Sequence, residues 1–292
     1  MSRHSIRTCL LSAVGFFAMA CAPARSAEPF YEFPADFQIC TDTSLQRIKD
    51  EGIKLGISAA MPWSGTDPAT GKAIGIDVEL QNEVLNYMGI TKVSYELGVF
   101  NSLIPSMLSK RIDMVVTDLH VTPERMKTIA FSGPVYWFGP AIVVQEGNPK
   151  NIRSLGDLSN VRVGVLLGTS TDEYLRAKAI PATRFQSYAE EFAAIQQDKV
   201  DAVLEYDLLA AEFKKANPQA KVQAITDFEM PDDLLKKGYG YARFGLRKED
   251  CSFRAAFNQA LAEVRASGAL SEILFKNGLS DRNLFVFPPK MK

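Results

Sequence analysis

The densest group of chemistry-bearing side chains lies in the segment Asp113-Met114-Val115-Val116-Thr117-Asp118-Leu119-His120-Val121-Thr122-Pro123-Glu124-Arg125. Thr122 is a good helix cap, Pro123 suits the first helical position, Glu124 complements the helix dipole, and Arg125 falls within the first turn. An arginine there, beside unpaired backbone N–H groups at the end of a buried strand, can grip a carboxylate with its planar fork. The plain alternative is a surface ion pair, which contributes little. Strand alternation puts Asp118 and His120 on one side and Thr117 and Leu119 on the other, so long as the chain stays extended. An acid and an imidazole facing one way would make polar partners for a ligand. Equally, Asp118 can pair with Arg125 or cap a helix, and His120 can satisfy a backbone carbonyl.

A second candidate is Gly168-Thr169-Ser170-Thr171, a glycine turn feeding a helix. Its N–H donors and hydroxyls suit a small anion, and ordinary capping explains the same residues equally well. Trp63 follows Pro62 in a turn-rich loop, where a large apolar residue needs a reason. Phe100 precedes Asn101-Ser102-Leu103-Ile104-Pro105 and serves equally well as core.

Scarce residue types exclude whole chemistries. Arg3 and Arg7 precede an apolar run from Cys9 to Ala22, too short and too early for a spanning helix, which reads as a secretory signal over residues 1–27. Ala18-Met19-Ala20-Cys21 makes a lipid anchor on Cys21 a minority reading. Once the signal is removed, His120 is the only histidine, so a multi-histidine metal site is excluded. Cys40 and Cys251 then remain; in an exported chain they can pair, the alternative being two buried thiols. Removing residues 1–27 takes away Arg3, Arg7 and Arg25 and no acid, leaving 30 bases against 34 acids. That mild acidity argues against nucleic acid and anionic membrane surfaces as partners.

The elements that must position these residues alternate between strand and helix. Strands are predicted at 54–58, 92–97, 112–117, 162–166, 200–204 and 242–246. Helices are predicted from Ile76 to Gly89, at 102–108, from Thr122, at 172–178, 189–197 and 207–215, and after Cys251, where Phe253, Phe257, Ala260, Leu261 and Val264 share a face. Strands separated by helices imply parallel pairing in α/β sheets covered on both faces. The length of 292 residues and a hydrophobic content of 47% favour two lobes, each with its own core.

In order along the chain, Gly75-Ile76-Asp77-Val78-Glu79-Leu80, Ser102-Leu103-Ile104-Pro105, Thr122-Pro123-Glu124-Arg125, Phe131-Ser132-Gly133-Pro134, Gly168-Thr169 and Val200-Asp201-Ala202-Val203 resemble the extracellular solute-binding proteins of polar amino-acid ABC transporters, family 3. The resemblance implies a two-lobed periplasmic-binding-protein fold. Each lobe is a mixed, mostly parallel sheet flanked by helices, with the ligand cleft between them. Lobe one would span 28–139 and return at 243–292, with lobe two at 140–242 and crossovers near Tyr136 to Ile142 and Gly240 to Leu246. That topology brings Cys251 into the lobe that carries Cys40, which favours their disulfide.

The resemblance also implies roles. Arg125 would clamp the ligand's α-carboxylate together with Thr169 and Ser170, while Trp63 and Phe100 line the cleft. The family's acid for the α-ammonium falls on Tyr206, flanked by Glu205 and Asp207. Either a neighbouring acid takes over, or the ligand lacks a standard ammonium there and Tyr206 offers its ring instead. Asp118 and His120 occupy positions where the family usually has small hydroxyl residues or glycine, and Thr117 beside them is a further ligand-binding candidate. The implied function is periplasmic capture of a small polar or zwitterionic solute by lobe closure and its delivery to an ABC permease. The expected protein is a monomer with no cofactor, no metal and no stable membrane insertion. A rival implication is a cleft enzyme resembling cyclohexadienyl dehydratases, with Asp118, His120 and Glu205 supplying an acid and a base. A third is a sensory ligand-binding module.

Overall fold

The computed structural model describes residues 40–229, 231 and 240–284. The signal segment 1–27 and Cys21 lie outside the described residues. The first lobe opens with α1 (Ser44–Glu51), β1 (Ile53–Ile57), a short hairpin of β2 (Gly65–Thr66) and β3 (Ala73–Ile74), and α2 (Ile76–Tyr87). It continues with β4 (Val93–Leu97), α3 (Phe100–Leu108), β5 (Met114–Leu119), α4 (Pro123–Thr128) and β6 (Ala130–Phe131).

The second lobe holds β7 (Pro140–Gln145), β8 (Val163–Leu166), α5 (Ser170–Ala177), β9 (Ala182–Phe185), α6 (Tyr188–Gln196), β10 (Ala202–Tyr206), α7 (Asp207–Ala216) and β11 (Val222–Ile225). The chain then returns to the first sheet with β12 (Arg243–Leu246), followed by α8 (Cys251–Ala266) and α9 (Ala269–Lys276).

Strand orders are β4-β1-β5-β12-β6 in one sheet and β11-β7-β10-β8-β9 in the other. Parallel pairing joins β1 to β4 and β5, and β8 to β9 and β10. The strands that follow each crossover run the other way: β7 is antiparallel to β10 and β11, and β12 to β5 and β6. β7 enters its sheet from the other lobe with no helix between it and β6, so the rule of uniform parallel pairing fails there, and it fails again at β12.

The return helix buries Phe253, Phe257, Ala260, Leu261 and Val264 on one face, as its spacing predicts. Cys251, at its first turn, is disulfide-bonded to Cys40 with Cα atoms 5.4 Å apart, across 211 residues of sequence. The loop that carries Trp63 is fixed by α2. The backbone N–H groups of Ile76 and Asp77 donate to the carbonyls of Pro62 and Trp63, each at 2.9 Å. Gly75 permits this approach: its φ is 119°, and a Cβ there would lie 2.3 Å from the Trp63 carbonyl oxygen.

Candidate functional site

Side chains from both lobes converge at the C-terminal ends of β5 and β10. Thr122 caps α4 by accepting from the Arg125 N–H at 3.2 Å, which sets the arginine in the first turn as the motif predicts. The Arg125 side chain is buried. It donates through one terminal nitrogen to the His120 carbonyl and through the other to the Gly168 carbonyl, both at 2.8 Å. The second bond crosses between lobes. Phe100 lies under the guanidinium at 5.5 Å, half-buried at the start of α3, which begins two residues earlier than the sequence predicts. Burial lowers the Arg125 pKa, and the charges of Glu173, Tyr206 and Asp118 oppose that shift.

The Gly168–Thr171 turn meets the arginine from the second lobe. Thr169 is the cap of α5: its hydroxyl donates to the Leu166 carbonyl at 2.8 Å and accepts from the Asp172 N–H at 3.2 Å. Ser170 begins the helix and points across the junction. Its hydroxyl lies 3.2 Å from His120 Nδ1 and 2.9 Å from the Tyr206 hydroxyl, which is itself 3.3 Å from the same nitrogen. Three polar groups from two lobes thus form a closed triangle. Burial, followed by the charges of Arg125 and Arg243, pushes the His120 pKa down to about 3, so its ring is neutral there.

An aromatic cluster closes over this triangle. Trp63 lies 5.0 Å from Phe138 and 5.7 Å from Tyr206 between ring centroids. Phe138 lies 4.9 Å from both His120 and Tyr206, and His120 lies 5.2 Å from Tyr206. Trp63 is fully buried, and its indole N–H has no hydrogen-bond partner.

Acidic groups lie beneath. The Thr117 hydroxyl donates to Asp118 at 2.9 Å and sits 3.1 Å from the Ser58 hydroxyl, so it braces the strand end. Asp77 accepts from the Asp118 N–H and from the Tyr136 hydroxyl, both at 2.7 Å. Burial and the neighbouring Asp77 charge raise the Asp118 pKa to about 8, and burial raises that of Asp77 to about 6. Glu205, on β10, is fully buried against Glu191 of α6. Burial raises Glu205 to about 8 and holds Glu191 well above the usual carboxylate range, so the pair retains a proton at neutral pH.

Asp207 is not brought to the junction. Its carboxyl accepts from the Leu208 N–H at 2.8 Å and lies 4.0 Å from Arg282. Trp63, Asp118, His120, Arg125, Ser170 and Tyr206 are gathered there, with Phe100 beside Arg125, Thr117 and Thr169 as braces, and Glu205 in the second-lobe interior. Sequence reasoning missed Asp77, Tyr136, Phe138 and Glu191. Phe138, two residues before β7 within the crossover, was the most legible of these. Among the described residues, the grouping of metal-ligand types is Cys40, Asp42 and Cys251, whose sulfurs are spent in the disulfide.

Residues 53–279 match the model of the bacterial extracellular solute-binding proteins, family 3. The chain belongs to that family. It is 27% identical over 262 residues to a probable amino-acid ABC transporter periplasmic-binding protein of Sinorhizobium fredii, covering 87% of this chain and 86% of that one. It is 30% identical over 232 residues to the lysine/arginine/ornithine-binding periplasmic protein of Escherichia coli, covering 77% and 87%. Among solved structures, an ancestral arginine-binding protein bound to glutamine superposes with a TM-score of 0.68 at 29% identity, covering 77% of this chain and 96% of that one. In this family 3 solute-binding protein, no helix among the described residues is long and apolar enough to cross a membrane.

Proposed function

We propose that this chain is a periplasmic receptor that closes two lobes around one small zwitterionic solute, an amino acid or a related compatible solute, and hands it unchanged to an ABC permease. The observation that carries this reading is the buried Arg125 guanidinium, bonded to a backbone carbonyl in each lobe. A carboxylate that engages the fork would join the same lobes, and closure would follow from its differential affinity for the closed form. Relatives named as amino-acid-binding periplasmic proteins support the solute class.

In this reading residues 28–139 and 243–292 form the arginine-bearing lobe and 140–242 the other. Arg125 holds the carboxylate with Ser170, Asp118 faces the cation, and Trp63, Phe100 and Tyr206 line the cleft. The receptor works as a monomer, exported by its leader, and makes no covalent change to its cargo. Asp118, buried at the end of β5 and raised to about 8, favours one competing reading, acid–base catalysis in the cleft. Mass spectrometry of bound solute before and after prolonged incubation separates the two: a receptor returns the same mass, an enzyme a new one.

A further inference from the structure

The junction is rich in aromatic surface, and the acceptors named at it are shared with partners of their own. A primary ammonium brings three N–H donors, and in a dry cleft each needs an acceptor, because a buried donor without one carries its full desolvation penalty. Each acceptor named at the junction already takes part in at least one hydrogen bond. The Ser170 and Tyr206 hydroxyls and His120 Nδ1 bond one another. The Thr117 hydroxyl serves Ser58 and Asp118, and the carbonyls of His120 and Gly168 take Arg125. One Asp118 oxygen accepts from Thr117, leaving its other oxygen for a cation.

Aromatic rings make up the other wall of the junction. Trp63 and His120 belong to the first lobe and Tyr206 to the second, so opening the lobes separates these rings and admits a solute among them. A ring face attracts a cation whatever its substituents. Alkyl groups on nitrogen pack against rings and remove donors that would go unmet. A primary ammonium gains less from the same surface.

We propose that the solute is a zwitterion whose cationic nitrogen is alkylated or set in a ring, with its carboxylate on Arg125 and its nitrogen against the Trp63, Phe138 and Tyr206 rings, Asp118 giving up its proton to solvent on binding and serving as counter-charge. This rests on the receptor reading and specifies its cargo. Aromatic packing supplies the affinity for the cation, and the prior engagement of those acceptors supplies the discrimination against ordinary amino acids.

Isothermal titration calorimetry with matched pairs tests it: glycine and glycine betaine, proline and N,N-dimethylproline, 4-aminobutyrate and its N-trimethyl form, beside the standard amino acids. The N-alkylated member of at least one pair binds about tenfold or more tighter than its parent and tighter than every standard amino acid. Tyr206→Asp narrows or reverses that preference, and Tyr206→Phe keeps it. A standard amino acid that binds wild type more tightly than every alkylated probe, with lobe closure in solution scattering, overturns this inference and leaves the receptor reading intact. Absence of binding by every compound in the panel overturns both.

Discussion

Arg125 donates to the carbonyl of Gly168 at 2.8 Å, and this single bond links the helix start after β5 to the turn before α5. The same guanidinium reaches the His120 carbonyl, so one side chain reads the positions of both lobes. Replacing it with alanine removes charge-assisted donors and leaves two buried carbonyls without them. Arg125→Ala therefore weakens solute binding about 10- to 100-fold, corresponding to roughly 1.4–2.7 kcal/mol. Titration calorimetry with the best ligand checks this; a loss under about threefold rules out the clamp.

Asp118 makes the ligand-free protein less stable as pH rises. Its folded pKa is raised to about 8 from the ordinary 3.8, so the folded form holds a proton that the unfolded chain releases. The associated stability is complete below about pH 4 and is lost as pH climbs towards 8. Asp118→Asn flattens this dependence between pH 5 and 8, visible as a Tm difference of about a few degrees in thermal melts. Parallel pH profiles for mutant and wild type would contradict the assignment.

His120 acts in the opposite sense. Its folded pKa is pushed down to about 3 against the ordinary 6.5, so the stability tied to its neutral ring is present above 6.5 and lost as pH falls towards 3. A His120→Gln variant loses less stability than wild type between pH 6.5 and 4, measured by urea denaturation at each pH. A steeper loss in the variant would be the contrary result.

Asp77 supports the cleft floor without facing the solute. Its two oxygens hold the Asp118 N–H and the Tyr136 hydroxyl, tying β5 to the crossover between lobes. Asp77→Leu leaves both donors buried and unmet and destabilises the fold by about 2–5 kcal/mol in chemical denaturation. A cost below about 0.5 kcal/mol would show that water or another group replaces it.

The Cys40–Cys251 bridge closes a loop spanning most of the described chain. Cys251→Ser lowers stability by about 2–4 kcal/mol in the chain-entropy picture, read from urea melts under oxidising conditions. Two alkylatable thiols in the native, oxidised wild type would contradict the bridge itself.

Local signals made half of the site legible. Thr122, Pro123 and Arg125 are fixed by helix-start chemistry that operates within four residues, and Thr169 by the same logic at α5. The covalent partner of Cys40 was legible because only two cysteines follow residue 27. What escaped depends on distance along the chain: Tyr136 reaches Asp77 across 59 residues, and neither residue type announces the pairing. Glu205 and Tyr206 adjoin in sequence, yet Tyr206 faces the junction and Glu205 packs against Glu191, a division that strand alternation explains only once the strand is known to run through Tyr206. The reversal of β7 and β12 was hidden for a similar reason, since pairing direction is set by where the chain arrives from and not by the strand's own residues.

Solution scattering on wild type and Arg125→Ala, with and without saturating solute, tests the central claim most directly. The radius of gyration falls on solute addition for wild type and stays near its ligand-free value for the variant at the same solute concentration. An unchanged radius in wild type at a concentration where calorimetry records full occupancy would contradict closure around a clamped carboxylate.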